Sequence, residues 1–160
     1  MYVPFHQLPP QSRVWVYQLS RPLTSEEEAQ MNQQLLAFVT EWSSHGRDLQ
    51  ASFAIRERHF LFLATNEQVA SASGCSIDKS VNYLRQLEQD FNVGFFDRTR
   101  LAFKTADGVQ TVSLPEVKKK VADGSLSPDT LYFDTLVETV GGVQDHWPKP
   151  AKETWLARYF

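Results

Sequence analysis

The sequence predicts a one-domain α+β fold in the order strand–helix–strand–strand–helix–strand, followed by a C-terminal extension. Three observations carry this. Arg13 to Leu19 (RVWVYQL) and Phe60 to Thr65 (FLFLAT) are apolar on both faces, as buried strands are. Two segments, one after Thr24 and one from Ser76, repeat apolar residues at helical spacing. Turn-forming residues at Pro22, Gly46, Gly94 and Asp107-Gly108 divide them at short intervals.

The first strand points Val14 and Val16 one way and Trp15, Tyr17 and Leu19 the other. Pro22 ends it. Thr24 and Glu27 then form a T-x-x-E capping box, and Glu26 to Glu28 place negative charge where the helix dipole favours it. Met31, Leu35, Phe38, Val39 and Trp42 make one apolar stripe, and Gly46 is the expected stop. Leu49, Ala51, Phe53 and Ile55 alternate as a strand before a polar turn at Arg56 to His59. The second helix, Ser76 to Asp90, buries Ile77, Val81, Leu84 and Leu87, and Gly94 breaks it. Phe95 to Lys104 reads as the fourth strand, ending at the Asp107-Gly108 turn.

This order is the ferredoxin-like βαββαβ pattern, an antiparallel four-stranded sheet with both helices on one face. It divides the single domain 1–160 into a core at 13–105 and an extension at 106–160 packed on it. It also implies that Trp15, Tyr17, Phe60 and Phe62 face away from the helices and need a cover. The last fifty residues or a second copy would supply it. In the extension, Ser113, Pro115 and Glu116 open a helix through Ala122 that Asp123-Gly124 closes. Thr130 to Asp134 (TLYFD) follows as a short strand or a helix begun at Ser127, and Pro148 and Pro150 exclude regular structure around them.

Bulk composition narrows the function classes. The chain has 160 residues, 42% hydrophobic and 22% charged, as globular proteins have. Its net charge of −3 argues against general nucleic-acid binding, which needs clustered Lys and Arg. No run approaches the roughly 18–20 apolar residues of a membrane span, and the start, MYVPFHQLPPQSR, lacks the apolar core of a signal peptide. A single cysteine excludes an internal disulfide and a cysteine-based zinc site, and fits a reducing, cytoplasmic setting. His6, His59 and His146 show no metal-ligand spacing, and no cofactor motif is present.

Ala70 to Ser80 (ASASGCSIDKS) is the segment best suited to chemistry. Small residues lead into a helix N-terminus whose backbone N–H groups suit an anion, with Ser73, Gly74, Cys75, Ser76 and Lys79 as binding candidates. The proposed topology brings WSSHGRD to the same sheet edge, which adds Arg47 and allows Cys75 as nucleophile, His45 as base and Asp48 or Asp78 as orienter. The plainer reading makes Cys75 a small buried hydrophobe, with Ser73 and Ser76 as helix caps. Lys79-Ser80 after a strand also invites a Walker A reading. That motif is G-x-x-x-x-G-K-[ST], whereas Asp78 precedes the lysine and Ser73 replaces the first glycine, so ATPase activity is rejected.

Two charged clusters remain. Asp97, Arg98 and Arg100, with Arg56 and Arg58 across the sheet, suit either a carboxylate-binding cluster or a solvated salt-bridge ladder, the ladder being the commoner arrangement. Lys118 to Lys120 reads as the wet face of a short helix.

The segments WSSHG (42–46), ASGCSIDKSV (72–81), FFDR (95–98) and the terminal PAKETWLARYF resemble a small family of uncharacterised bacterial proteins of about this length, some labelled ABC transporter ATPase. The resemblance implies no activity, and the sequence lacks both the Walker A and the LSGGQ-type signature such a label requires. The leading functional reading is a non-enzymatic module that dimerises or binds a partner or small ligand through its aromatic sheet face. The alternative is a small enzyme or anion sensor built on Cys75 and His45.

Overall fold

The computed structural model describes residues 1–160 and has mixed α+β architecture. In chain order come β1 (Arg13–Gln18), α1 (Ser25–Glu41), β2 (Ser43–Ser44), β3 (Arg47–Asp48), β4 (Ala51–Arg56), β5 (Phe60–Thr65) and α2 (Gly74–Phe91). Then follow β6 (Arg100–Thr105), β7 (Gly108–Ser113), α3 (Leu114–Ala122), β8 (Leu131–Tyr132), α4 (Val140–Gln144) and β9 (Lys149–Pro150). Single 3₁₀ turns lie at Phe5–Gln7, Ala151–Glu153 and Trp155–Tyr159. No helix is long and apolar enough to cross a membrane.

Two larger antiparallel sheets form, ordered β1-β5-β4 and β7-β6-β8-β9. β5 is central in the first and fully buried along its length, which is why its sequence is apolar on both sides. One face of this sheet packs on α1 and α2, with Trp42, Met31, Leu35, Leu61, Leu63 and Leu84 in the core between them. The other face carries Val14, Val16, Phe60, Phe62 and Ala64 and is covered by Phe5, Leu8, Phe133, Val140, Val143 and Trp147. A third core fills the space between the second sheet, α3 and the C-terminal turn, around Phe103, Val117, Tyr132 and Leu156.

α1 starts as its sequence predicts. Thr24 Oγ1 accepts from the Glu27 N–H at 3.1 Å, and Glu27 Oε1 accepts from the Thr24 N–H at 3.0 Å. Arg21 donates to both Glu27 carboxylate oxygens, at 2.9 and 2.8 Å, and to the Phe91 carbonyl at 2.7 Å, so the start of α1 is tied to the end of α2. The Arg21 hydrogen bonds are the main reason the Glu27 carboxyl is held down to about 2. Thr24→Ala removes one half of the box and is expected to destabilise the fold by about 1 kcal/mol. Urea unfolding at neutral pH checks this, and an unchanged midpoint would show the cap to be redundant.

Several expectations are corrected. The ferredoxin-like strand order is not seen: β6 does not pair with β1 but joins β7 and β8 in the second sheet. Two local choices divert it. Asp97 Oδ1 accepts from the Thr99 N–H at 2.9 Å and Oγ1 at 2.6 Å, a turn that interrupts the extended run before β6. Asp107-Gly108, with Gly108 at φ +99°, then closes a hairpin in which all six residues of β6 face β7. Phe95 and Phe96 are consequently turned into the α1/α2 core and do not act as strand residues.

The aromatic face is also regrouped. The register pairs Val16 with Phe62 and Gln18 with Phe60, so these phenylalanines lie opposite to Trp15 and Tyr17. Trp15 and Tyr17 face the helices, and the chain's own N- and C-terminal segments cover Phe60 and Phe62. Gly46 does not stop α1, which ends at Glu41. It forms the β2–β3 turn with His45, at φ +75° and +51°. α2 starts two residues early, capped by Ser73, and Asn92 in the left-handed conformation closes it ahead of Gly94. Pro150 stands in the two-residue strand β9 despite its missing donor, at the edge of the sheet where that is tolerated.

Candidate functional site

The two segments expected to meet at the α2 N-terminus do meet, but not through the groups proposed for chemistry. Trp42 Nε1 donates to the Ser76 carbonyl at 2.9 Å, and Ser44 Oγ accepts from the Ser73 N–H at 3.2 Å. Ser73 caps α2, its Oγ accepting from the Ser76 N–H at 3.1 Å and its carbonyl from the Ile77 N–H at 2.9 Å. Ser76 and Ser44 are buried by this docking. Gly74, Cys75, Asp78, Lys79, His45, Arg47 and Asp48 are all exposed. Cys75 makes no hydrogen bond to His45, Asp48 or Asp78, and neither Cys75 nor His45 lines the cavities along β1, beside Ser20 and Thr111, or between α1 and α2 at Phe38 and Tyr83.

The Trp42 and Ser44 contacts therefore explain the packing of this loop without a ligand. Cys75 is not the buried hydrophobe of the plainer reading either, because it occupies the first turn of α2 facing solvent. Its thiol is expected to react fully with iodoacetamide or a maleimide in the native protein at pH 8, at a rate within about tenfold of free cysteine. Alkylation seen only after unfolding would contradict its exposure.

The structure puts a concave surface elsewhere, along the outer edge of β1. This strand pairs with β5 on one side only. Its odd residues bond inward, as the Leu19 N–H bond to the His59 carbonyl at 2.8 Å continues that ladder. Its even residues turn their backbone outward. At one end the Val14 N–H reaches the Glu138 carbonyl at 3.0 Å, and at the other the Ser20 N–H reaches the Gly94 carbonyl at 2.9 Å. Between these clamps the N–H and C=O groups of Val16 and Gln18 meet no strand. This is the edge that the diverted β6 leaves open.

A groove runs there between the two sheets. A cavity of about 110 Å³ is lined by Val16, Gln18, Arg98, Arg100 and Leu136, among others. It continues into a trough of about 500 Å³ that shares Val16, Arg98 and Leu136 and extends to Arg13, Glu67 and Glu138. Leu136 is 60% exposed, the most exposed of the large apolar side chains. The groove thus mixes apolar and charged side chains along its length.

Its charges are unevenly satisfied. Arg13 pairs with Glu67 at 3.5 Å. Asp97 spends its carboxylate on Thr99, whose hydrogen bonds hold it below the usual carboxylate range. Arg100 donates to the Thr111 carbonyl and hydroxyl at 3.0 and 3.1 Å. Arg98 forms no ion pair with any carboxylate. Burial pushes the Tyr17 phenol up while Arg98 acts against it, so the guanidinium sits within electrostatic reach of β1. Arg98 and Arg100 against Asp97 leave the smaller cavity one positive charge in excess, in a chain of net charge −3.

The ladder expected for Asp97, Arg98, Arg100, Arg56 and Arg58 does not form. Arg58 pairs with Glu28 at 3.7 Å, and Glu57 pairs with Lys104 at 3.1 Å. No three His, Cys, Asp or Glu side chains are grouped to hold a metal ion. Val16, Gln18, Thr135 and Leu136 carry no sequence signal for a site, since the groove exists only once β6 has left the first sheet. Comparison with protein families, characterised proteins and solved structures finds no match for this chain.

Proposed function

We propose that the protein is a cytoplasmic, non-enzymatic binding module that takes a carboxylate-bearing ligand in the groove along β1. The observation that carries this is Arg98, a guanidinium on the groove wall with no carboxylate partner, beside Arg100 and the open backbone of Val16 and Gln18. A guanidinium presents a planar fork of donors matched to a carboxylate, and adjacent main-chain N–H groups add neutral donors. The exposed single thiol, Cys75, supports a reducing compartment. The aromatic sheet face no longer motivates dimerisation, because Phe60 and Phe62 are already covered within the chain.

Titration of ¹⁵N-labelled protein with glutarate tests the reading. Chemical-shift changes should centre on Val16, Gln18 and Arg98, and Arg98→Glu should weaken them at least tenfold with the spectrum otherwise unchanged. Changes that cluster at residues 73–79 instead, or that survive Arg98→Glu, would move the site away from the groove.

A further inference from the structure

We infer that the occupant of the groove is an extended, acidic segment of a partner protein, added to the first sheet as a fourth strand beside β1. The inference rests on the binding reading above and adds the ligand's form to it. A carboxylate site alone needs one guanidinium and a pocket. This groove offers more: a row of two outward N–H donors and two outward C=O acceptors, from Val16 and Gln18, along the strand direction. A polypeptide backbone in extended conformation matches alternating donors and acceptors at that spacing.

The clamps set its length. Glu138 occupies the edge at Val14 and Gly94 occupies it at Ser20, so the free edge lies opposite residues 15–19. About five extended residues fill it, at roughly 3.3 Å each. Charge sets its chemistry. Arg98 lines both cavities beside Val16, and Arg100 lies with Asp97 on the Gln18 side, so an incoming acidic residue has a guanidinium to meet along this edge. Exposed Leu136, which lines the same groove, gives an apolar residue of the same segment a surface to cover.

The probe is the acetylated, amidated pentapeptide Val-Glu-Val-Glu-Val, compared with the same sequence N-methylated at its second and fourth residues. Both keep the carboxylates, and the second cannot complete a ladder in the register that turns those residues to β1. The register is left free by a third peptide, N-methylated at the first, third and fifth residues. Fluorescence titration and amide hydrogen exchange are read on the full chain. The unmodified peptide should slow exchange at Val16 and Gln18 at least tenfold, one methylated peptide should bind at least tenfold more weakly, and Arg98→Glu should weaken all three.

Equal binding by the three peptides, or unchanged exchange at Val16 and Gln18, overturns strand addition while leaving the carboxylate site to the glutarate titration. No binding at millimolar peptide overturns it as well. A dimer in sedimentation equilibrium that Arg98→Glu dissociates would put a second copy of the chain in the groove and overturn the assignment to a separate partner.

Discussion

Phe62→Ala is expected to destabilise the native state by roughly 3–5 kcal/mol, the range for removing a fully buried phenylalanine from a core that cannot collapse around the gap. Phe62 is completely buried on the sheet face opposite the helices. Trp147 meets it edge-on, with ring centroids 4.8 Å apart and planes at 80°, and Phe5 lies 6.0 Å away. Phe60 stacks on Phe133 at 4.6 Å and meets Trp147 at 5.0 Å, so one indole bridges three phenylalanines. These rings belong to segments far apart in sequence and held by the sheet, which is why the cavity persists. For a chain of this size the loss lowers the melting temperature by roughly 6–20 °C. Leu136→Ala, on the exposed groove wall, should stay within about 0.5 kcal/mol of wild type. A Phe62→Ala loss below about 1.5 kcal/mol would mean that the C-terminal segment is not seated on this face.

Acidification below about pH 6.5 is expected to destabilise the protein through His59. This imidazole is 6% exposed, lies 5.4 Å from the Phe60 ring, and its Nε2 has no hydrogen-bond partner. Burial pushes its pKa down from 6.5, opposed by a smaller effect of the Leu19 main chain. The unfolded chain therefore takes up a proton at a pH where the native one does not, and stability falls as pH falls. The slope is at most about 1.4 kcal/mol per pH unit for one proton, and it ends at the native pKa. The Glu27 carboxyl acts in a separate window: its stabilisation is complete above 4.5 and is lost as pH falls towards 2. Urea unfolding between pH 7 and 5 should show a slope in wild type that His59→Gln removes. An equal slope in the variant would assign the effect to other groups.

Those elements whose signal is local were legible in the sequence. The Thr24–Glu27 box, the α1 stripe, the two-faced apolar runs of β1 and β5, and the Ser113–Glu116 start of α3 each sit within a few residues, and each is present. The fourth strand was not legible, because its fate is a competition between pairings. β6 is compatible with β1 or with β7, and spacing does not rank a distant edge against an adjacent hairpin. The Asp107-Gly108 turn carried the deciding signal, yet it reads equally well as a strand end. The misassigned sheet face follows from the hairpin register, where one residue flips every side chain. For the site, Arg98 and Arg100 stood out as a cluster, but their wall partners come from β1 and from residues 135–136. That proximity depends on the same diverted strand.

The closure of β1 by Glu138 also has a kinetic side. The β4–β5 and β6–β7 hairpins join neighbours in sequence and close quickly, whereas the Val14–Glu138 and Arg13–Thr139 pairings require a late segment of the chain to return to an early one. Contacts absent from the transition state govern how fast a molecule comes apart, and the return of residues 138–139 is expected to be one of them. Weakening the return of residues 138–139 should therefore shorten the native lifetime while leaving the refolding rate nearly as it was.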